Sequence, residues 1–153
     1  MKITEILSQE MVLPELRGDT KPTILHELAE CFAPQFPHLS ADAIAGVLAE
    51  RERLGSTAIG DGIAIPHGKI RGVNRIIGVF GRHPKGVDFD SLDGNPTHLF
   101  FVLIAPEEST SLHLKALARV SRLFRDGSFR ERLEGAASAE ELYGFIVEED
   151  SRY

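Results

Sequence analysis

The chain has 153 residues, 42% of them hydrophobic and 26% charged, which suffices for one domain with a proper core and is too short for two. A net charge of −6 argues against nonspecific nucleic-acid binding, which rests on neutralisation of phosphates by Lys and Arg. No apolar run approaches the roughly 20 residues that cross a bilayer, no signal peptide is visible at the start, and the single cysteine, Cys31, leaves no internal disulfide framework. The expectation is one cytoplasmic domain spanning residues 1–153, without membrane insertion.

Residues 1–20 read as a short helical turn, then an apolar Met11-Val12-Leu13 that forms a short strand ended by Pro14. From Lys21 to Phe36, Ile24, Leu25, Leu28, Ala29 and Phe32 recur at helical spacing, with Cys31 packed inertly beside that stripe and Pro34 and Pro37 as stops. Ser40 caps a second helix running to about Leu54, closed by Gly55, with Ala41, Ile44, Val47 and Leu48 facing inwards. Continued by three, this stripe reaches Arg51. Its head either lies at the rim, in water or on the last helical carbonyls, or projects a cation beyond the helix end; helix geometry does not choose.

The small-residue stretch from Gly55 to Gly62 reads as a loop into a strand, Ile63–Ile65. It lacks the Gly-Lys-Ser/Thr of a Walker A loop, and Ile65 occupies the third glycine position of a dinucleotide fingerprint, so a nucleotide site is not expected. Pro66 then stiffens the chain, and His67-Gly68 follows at once. Proline fixes its own φ and holds Ile65 extended, while Gly68 allows a close approach or a positive φ. His67 is therefore rigidly mounted on a strand-to-loop junction.

Arg75–Arg82 is a β-branched strand, His83-Pro84-Lys85-Gly86 a turn, and Val87-Asp88-Phe89-Asp90 alternates as a short edge strand. Asp93-Gly94-Asn95-Pro96 signals another turn. His98–Ala105 is almost continuously apolar and belongs at the centre of the sheet, covered on both faces. After Pro106, Thr110 or Ser111 caps a helix whose stripe is Ala116, Leu117, Val120 and Phe124. Four residues before Leu117 stands His113, facing inwards at a helix N-terminus, either as a capping or packing residue or as part of a site that favours an anion. Two short helices, near Ser128–Leu133 and from Ser138 to Val147, precede a frayed tail from Glu148. The pattern is a single three-layer α/β/α sandwich, a mixed sheet flanked by helices with an antiparallel edge.

His67, Arg51 and His113 thus converge, two of them at strand ends where open α/β sheets gather ligands. Two imidazoles, a guanidinium and a helix N-terminus suit a phosphoryl group or another oxyanion. A metal site would need further ligands at suitable spacing, and Arg51 would repel the cation, so no metal and no cofactor are expected. A serine hydrolase lacks its Gly-x-Ser-x-Gly elbow.

The run Arg51-Glu52-Arg53-Leu54-Gly55-Ser56-Thr57-Ala58-Ile59-Gly60-Asp61-Gly62-Ile63-Ala64-Ile65-Pro66-His67-Gly68 resembles the enzyme IIA components of the bacterial phosphoenolpyruvate-dependent phosphotransferase system, mannitol/fructose class. A second block fits as well, from Val87-Asp88-Phe89-Asp90 through Leu103-Ile104-Ala105-Pro106 to His113-Leu114. Ala58 stands where the family pattern leads one to expect glycine. Within the class, His67-Gly68-Lys69, Asp88-Phe89-Asp90 with Asp93-Gly94, and Pro106-Glu107-Glu108 look most like the nitrogen-regulatory branch, as does a chain without a fused permease or carrier domain. The resemblance implies that His67 is the phosphoacceptor, Arg51 its companion arginine and His113 the second histidine. It implies a donor, a histidine-phosphorylated carrier protein, and regulatory target proteins that distinguish the phosphorylated from the free form, reporting nitrogen, carbon or potassium status. The alternative it leaves open is a fructose- or mannitol-specific IIA component that passes the phosphoryl group to a permease.

Overall fold

The computed structural model describes every residue, Met1–Tyr153. After two single 3₁₀ turns, Ile3–Glu5 and Gln9–Met11, the elements are β1 (Val12–Leu13), α1 (Lys21–Glu30), α2 (Ala41–Arg53), β2 (Ala58–Gly60), β3 (Ile63–Ala64), β4 (His67–Ile70), β5 (Ile77–Val87), β6 (Thr97–Pro106), α3 (Ser111–Leu123), α4 (Gly127–Glu134) and α5 (Ala139–Asp150). The six strands form one mixed sheet in the order β1-β5-β6-β3-β2, with β4 also paired to β6. β6 runs parallel to β3 and β4 and antiparallel to β5. As its apolar run predicts, β6 is central and is buried along nearly its whole length.

Strand alternation shows what covers each face. Phe80 and Phe101 lie side by side in the β5–β6 register, and both rings meet Phe124 at the end of α3, which in turn touches Phe129 of α4. On the opposite face, the space a side chain at Gly81 would fill is taken by Leu16 and by Leu28 of α1, and that at Gly68 by Val47 of α2. Helices therefore cover both faces, the expected three-layer arrangement. No helix is long and apolar enough to cross a membrane.

Several boundaries differ from the sequence expectation. α1 ends at Glu30, not Phe36, because the Pro34 ring would clash with the carbonyl of Glu30 in a continued helix. Ala58–Gly60, read as loop, pairs with β3 as a short antiparallel strand, joined to it by a turn in which Gly60, Asp61 and Gly62 all have positive φ. His83–Gly86 is a bulge within β5, not a turn: the register slips from Arg82↔Leu99 to Val87↔Thr97, and Asp88–Asp90 form no strand. The chain after Glu148 is not frayed. α5 runs to Asp150, whose carboxylate is buried and accepts hydrogen bonds from Arg119 Nε (2.6 Å) and from the Ile3 N–H (2.9 Å).

Candidate functional site

His67 opens β4, so it is the first residue of a strand and not part of a loop. Between β3 and β4 two residues, Ile65 and Pro66, lie outside the strands. Pro66 has no N–H to donate, and its carbonyl accepts the Leu103 N–H of β6 at 3.0 Å. Ile65 sends its N–H to the Thr57 carbonyl (3.0 Å), and its own carbonyl lies 2.8 Å from His67 Nδ1. A carbonyl can only accept, so Nδ1 carries the hydrogen of the neutral ring and Nε2 holds the free lone pair.

Register decides which way the ring faces. His67 pairs with Leu103, two residues from Phe101, and so lies on the sheet face covered by α3. There it meets His113, the third residue of α3, with ring centroids 5.2 Å apart and planes inclined by 56°. Gly68, on the opposite face, does not use positive φ; its role is the close approach of α2, since an added Cβ would collide with Val47 Cγ1. His113 is buried, as its stripe predicts. Thr110 is the N-cap of α3, but its side chain makes no capping bond, which leaves the first N–H groups of the helix free for another acceptor.

Both imidazoles are pushed below their ordinary pKa. For His67 the main cause is burial, opposed by the Ile65 carbonyl and reinforced by the Arg51 charge. For His113 it is burial again, then the neighbouring charges of His67 and Lys69. Arg51, half-buried in the last turn of α2, donates from Nη1 to the Gly55 carbonyl at 2.9 Å. The acceptor is not one of the last helical carbonyls, since Gly55 lies beyond the C-cap Leu54; the side chain reaches past the helix end to the following loop, and its charge acts on His67.

Sequence reasoning missed Glu52. It is only 8% exposed, on the line Ile44–Leu48–Glu52 that a step of four along α2 picks out and a step of three does not. Its carboxylate accepts the Thr57 N–H (3.1 Å) and hydroxyl, and pairs with Lys21 Nζ at 3.0 Å. Exposed leucines stand close in sequence to two of the site residues. Leu112 and Leu114 flank His113 in sequence and Leu54 follows Arg51 by three; Leu114 is 62% and Leu54 83% exposed. A hollow of about 300 Å³ beside Ile6, Phe36 and Arg75 lies elsewhere and includes neither histidine.

A mixed α/β domain that brings two imidazoles together beside a helix N-terminus, with a guanidinium acting on one of them, has the groups that suit an oxyanion. Residues 5–149 match the family model described as phosphoenolpyruvate-dependent sugar phosphotransferase system, EIIA 2, and the chain belongs to that family. Membership implies phosphotransfer through a phosphohistidine. The chain is 41% identical to a nitrogen regulatory protein of Bradyrhizobium diazoefficiens, over 96% of this chain and 95% of the relative. A crystal structure of the nitrogen regulatory protein IIA-Ntr from Neisseria meningitidis superposes with a TM-score of 0.87 at 35% identity, covering 94% of this chain and 98% of the other. Sugar-specific relatives exist too: a fructose-specific EIIABC component of Bacillus subtilis is 35% identical over 98% of this chain, which spans 24% of that protein.

Proposed function

We propose that this protein is a cytoplasmic regulatory phosphocarrier that takes a phosphoryl group onto His67 Nε2 from a histidine-phosphorylated carrier protein. The observation that carries this reading is the 2.8 Å contact between Nδ1 and the Ile65 carbonyl, which leaves Nε2 as the nucleophilic nitrogen. The Nε2 lone pair forms the new N–P bond as the donor's N–P bond breaks, and the electron pair of the broken bond returns to the donor imidazole. His67 keeps its Nδ1 proton throughout, and the Ile65 carbonyl stabilises the positive charge that develops on the ring. Arg51 neutralises the phosphoryl oxygens, and His113 donates a hydrogen bond to them, together with the open end of α3. The exposed Leu54, Leu112 and Leu114 suit docking of a protein donor.

The phosphorylated form carries a doubly negative group on this same surface, so target proteins that pack against the leucines distinguish the two forms. Similarity to nitrogen regulatory proteins supports signalling of nitrogen, carbon or potassium status as the outcome. The fructose-specific relative favours a second reading, transfer onward to a sugar permease.

Incubation with phosphoenolpyruvate, the first enzyme of the chain and a carrier protein should add one acid-labile phosphate by intact mass. An unmodified wild type would overturn the phosphocarrier reading, and full modification of His67→Ala would overturn the site. Loss of the label on addition of a sugar permease would favour the second reading over the regulatory one.

A further inference from the structure

Glu52 is a buried carboxylate within reach of the reacting histidine, and the roles given to His67, Arg51 and His113 leave it without a task. Burying a carboxylate is costly unless it is paired and fully hydrogen-bonded. This one is: it holds the N–H and hydroxyl of Thr57, and Lys21 Nζ, which also pairs with Asp90 at 2.9 Å. The bonds continue beyond it. Thr57 accepts the Ile65 N–H at 3.0 Å, and Ile65 in turn accepts the Nδ1 hydrogen of His67. The same loop is held from its other side by the preceding residue, through Arg51 Nη1 on Gly55. Two consecutive side chains of α2 therefore clamp residues 55–57, and the path from one of them ends on the ring that reacts.

We propose that Glu52 is a positioning residue for His67, acting through Thr57 and Ile65 to hold the ring in place with its hydrogen on Nδ1. The inference rests on His67 as phosphoacceptor only for its consequence in transfer; the brace itself is a property of the unphosphorylated protein. Glu52 also contributes a charge. The groups facing His67 are Arg51 and Glu52 from α2, His113 from α3 and, beyond His113, Lys69 from β4. Glu52 is the anion among them and favours a protonated His67, against Arg51.

The test compares wild type, Glu52→Gln, Thr57→Val and Thr57→Ser, all labelled with ¹⁵N-histidine and checked for folding by circular dichroism. Wild type should show one tautomer of His67, with the hydrogen on Nδ1. Glu52→Gln should populate the other tautomer and titrate His67 at lower pH. Its single-turnover rate of phosphoryl acceptance at saturating carrier should fall about tenfold or more, with half-saturation unchanged. Thr57→Val should shift the tautomer in the same sense without moving the titration, and Thr57→Ser should restore it. A single Nδ1–H tautomer and an unmoved titration in Glu52→Gln would overturn the proposal. If that variant does not fold, an unshifted tautomer in Thr57→Val would do so. Tautomer shifts in a protein that accepts no phosphate would sustain the brace while removing the phosphocarrier reading.

Discussion

At the scale of single residues, His67 combines partial burial and a nearby cation, which favour a neutral ring, with the Ile65 carbonyl on Nδ1, which fixes the tautomer and opposes them only in part. Both His67 and His113 protonate below the ordinary imidazole value of 6.5. Because a protonated Nε2 cannot attack, phosphoryl acceptance should hold constant as pH falls through 6.5 and decline only at lower pH, as a rapid-quench pH profile would show. The linkage to folding has the same sign. With folded pKa values below unfolded ones, these histidines contribute stability above pH 6.5 that is lost progressively as pH falls through their folded values, where the unfolded chain binds more protons. Denaturant titrations of His113→Asn should accordingly lose stability less steeply than wild type below pH 6.5. Arg51→Met removes the cation from the site and should slow single-turnover acceptance by about 10²–10³, the usual loss for one oxyanion donor. Arg51→Lys keeps the charge without the planar fork and should lie between.

At the scale of elements, the site depends on how closely α2 approaches β4. Gly68 makes that approach possible, and Gly68→Ala should destabilise the protein by about 1–3 kcal/mol in urea unfolding, by overpacking against Val47. Val47→Ala in the same chain should recover much of that loss, since the clash is with the Val47 methyl. The β2–β3 turn depends on Asp93 instead. This carboxylate accepts the N–H groups of Asp61 and Asn95 and the hydroxyl of Ser91, which hold its pKa down to about 2. Its contribution is present above the unfolded value near 3.8 and is lost as pH falls through about 2. The Asp61 amide resonance should therefore stay unmoved to well below pH 3.8 in an acid titration. None of this pairing was legible in a run of small residues, since Ala58–Gly60 becomes a strand only because β3 lies beside it.

Across the whole molecule, the two ends of the chain are joined. Asp150, in the last turn of α5, holds both Arg119 of α3 and the first 3₁₀ turn at Ile3. Asp150→Ala would take the carboxylate from a mostly buried guanidinium, leaving it only the main-chain carbonyl of residue 150, and would leave the Ile3 N–H unpaired. It should lower the stability by about 3 kcal/mol, discounted to the low end of the range for broken buried pairs because Arg119 is partly exposed. A thermal melt should register this as a fall of about 6–12 °C in Tm. Arg82 plays a similar part inside, donating to the carbonyls of Pro14, Leu133 and Ala136, so that the β5 bulge ties the segment after β1 to the end of α4. Neither role is legible in the sequence, because the partners are distant along the chain.

The sequence by itself determined the central strand and the inward stripes of α1, α2 and α3, and it singled out His67, Arg51 and His113 as a candidate site. Apolar periodicity, prolines and caps are local signals, and each of these features is specified within one or two turns of chain. What only the tertiary structure decided is how those residues are set relative to one another. Strand register turns His67 towards α3, the Ile65 carbonyl selects Nε2 as its free nitrogen, and a step of four instead of three along α2 buries Glu52. These depend on hydrogen bonds and contacts between segments that meet only once the sheet has formed, and no local pattern encodes them.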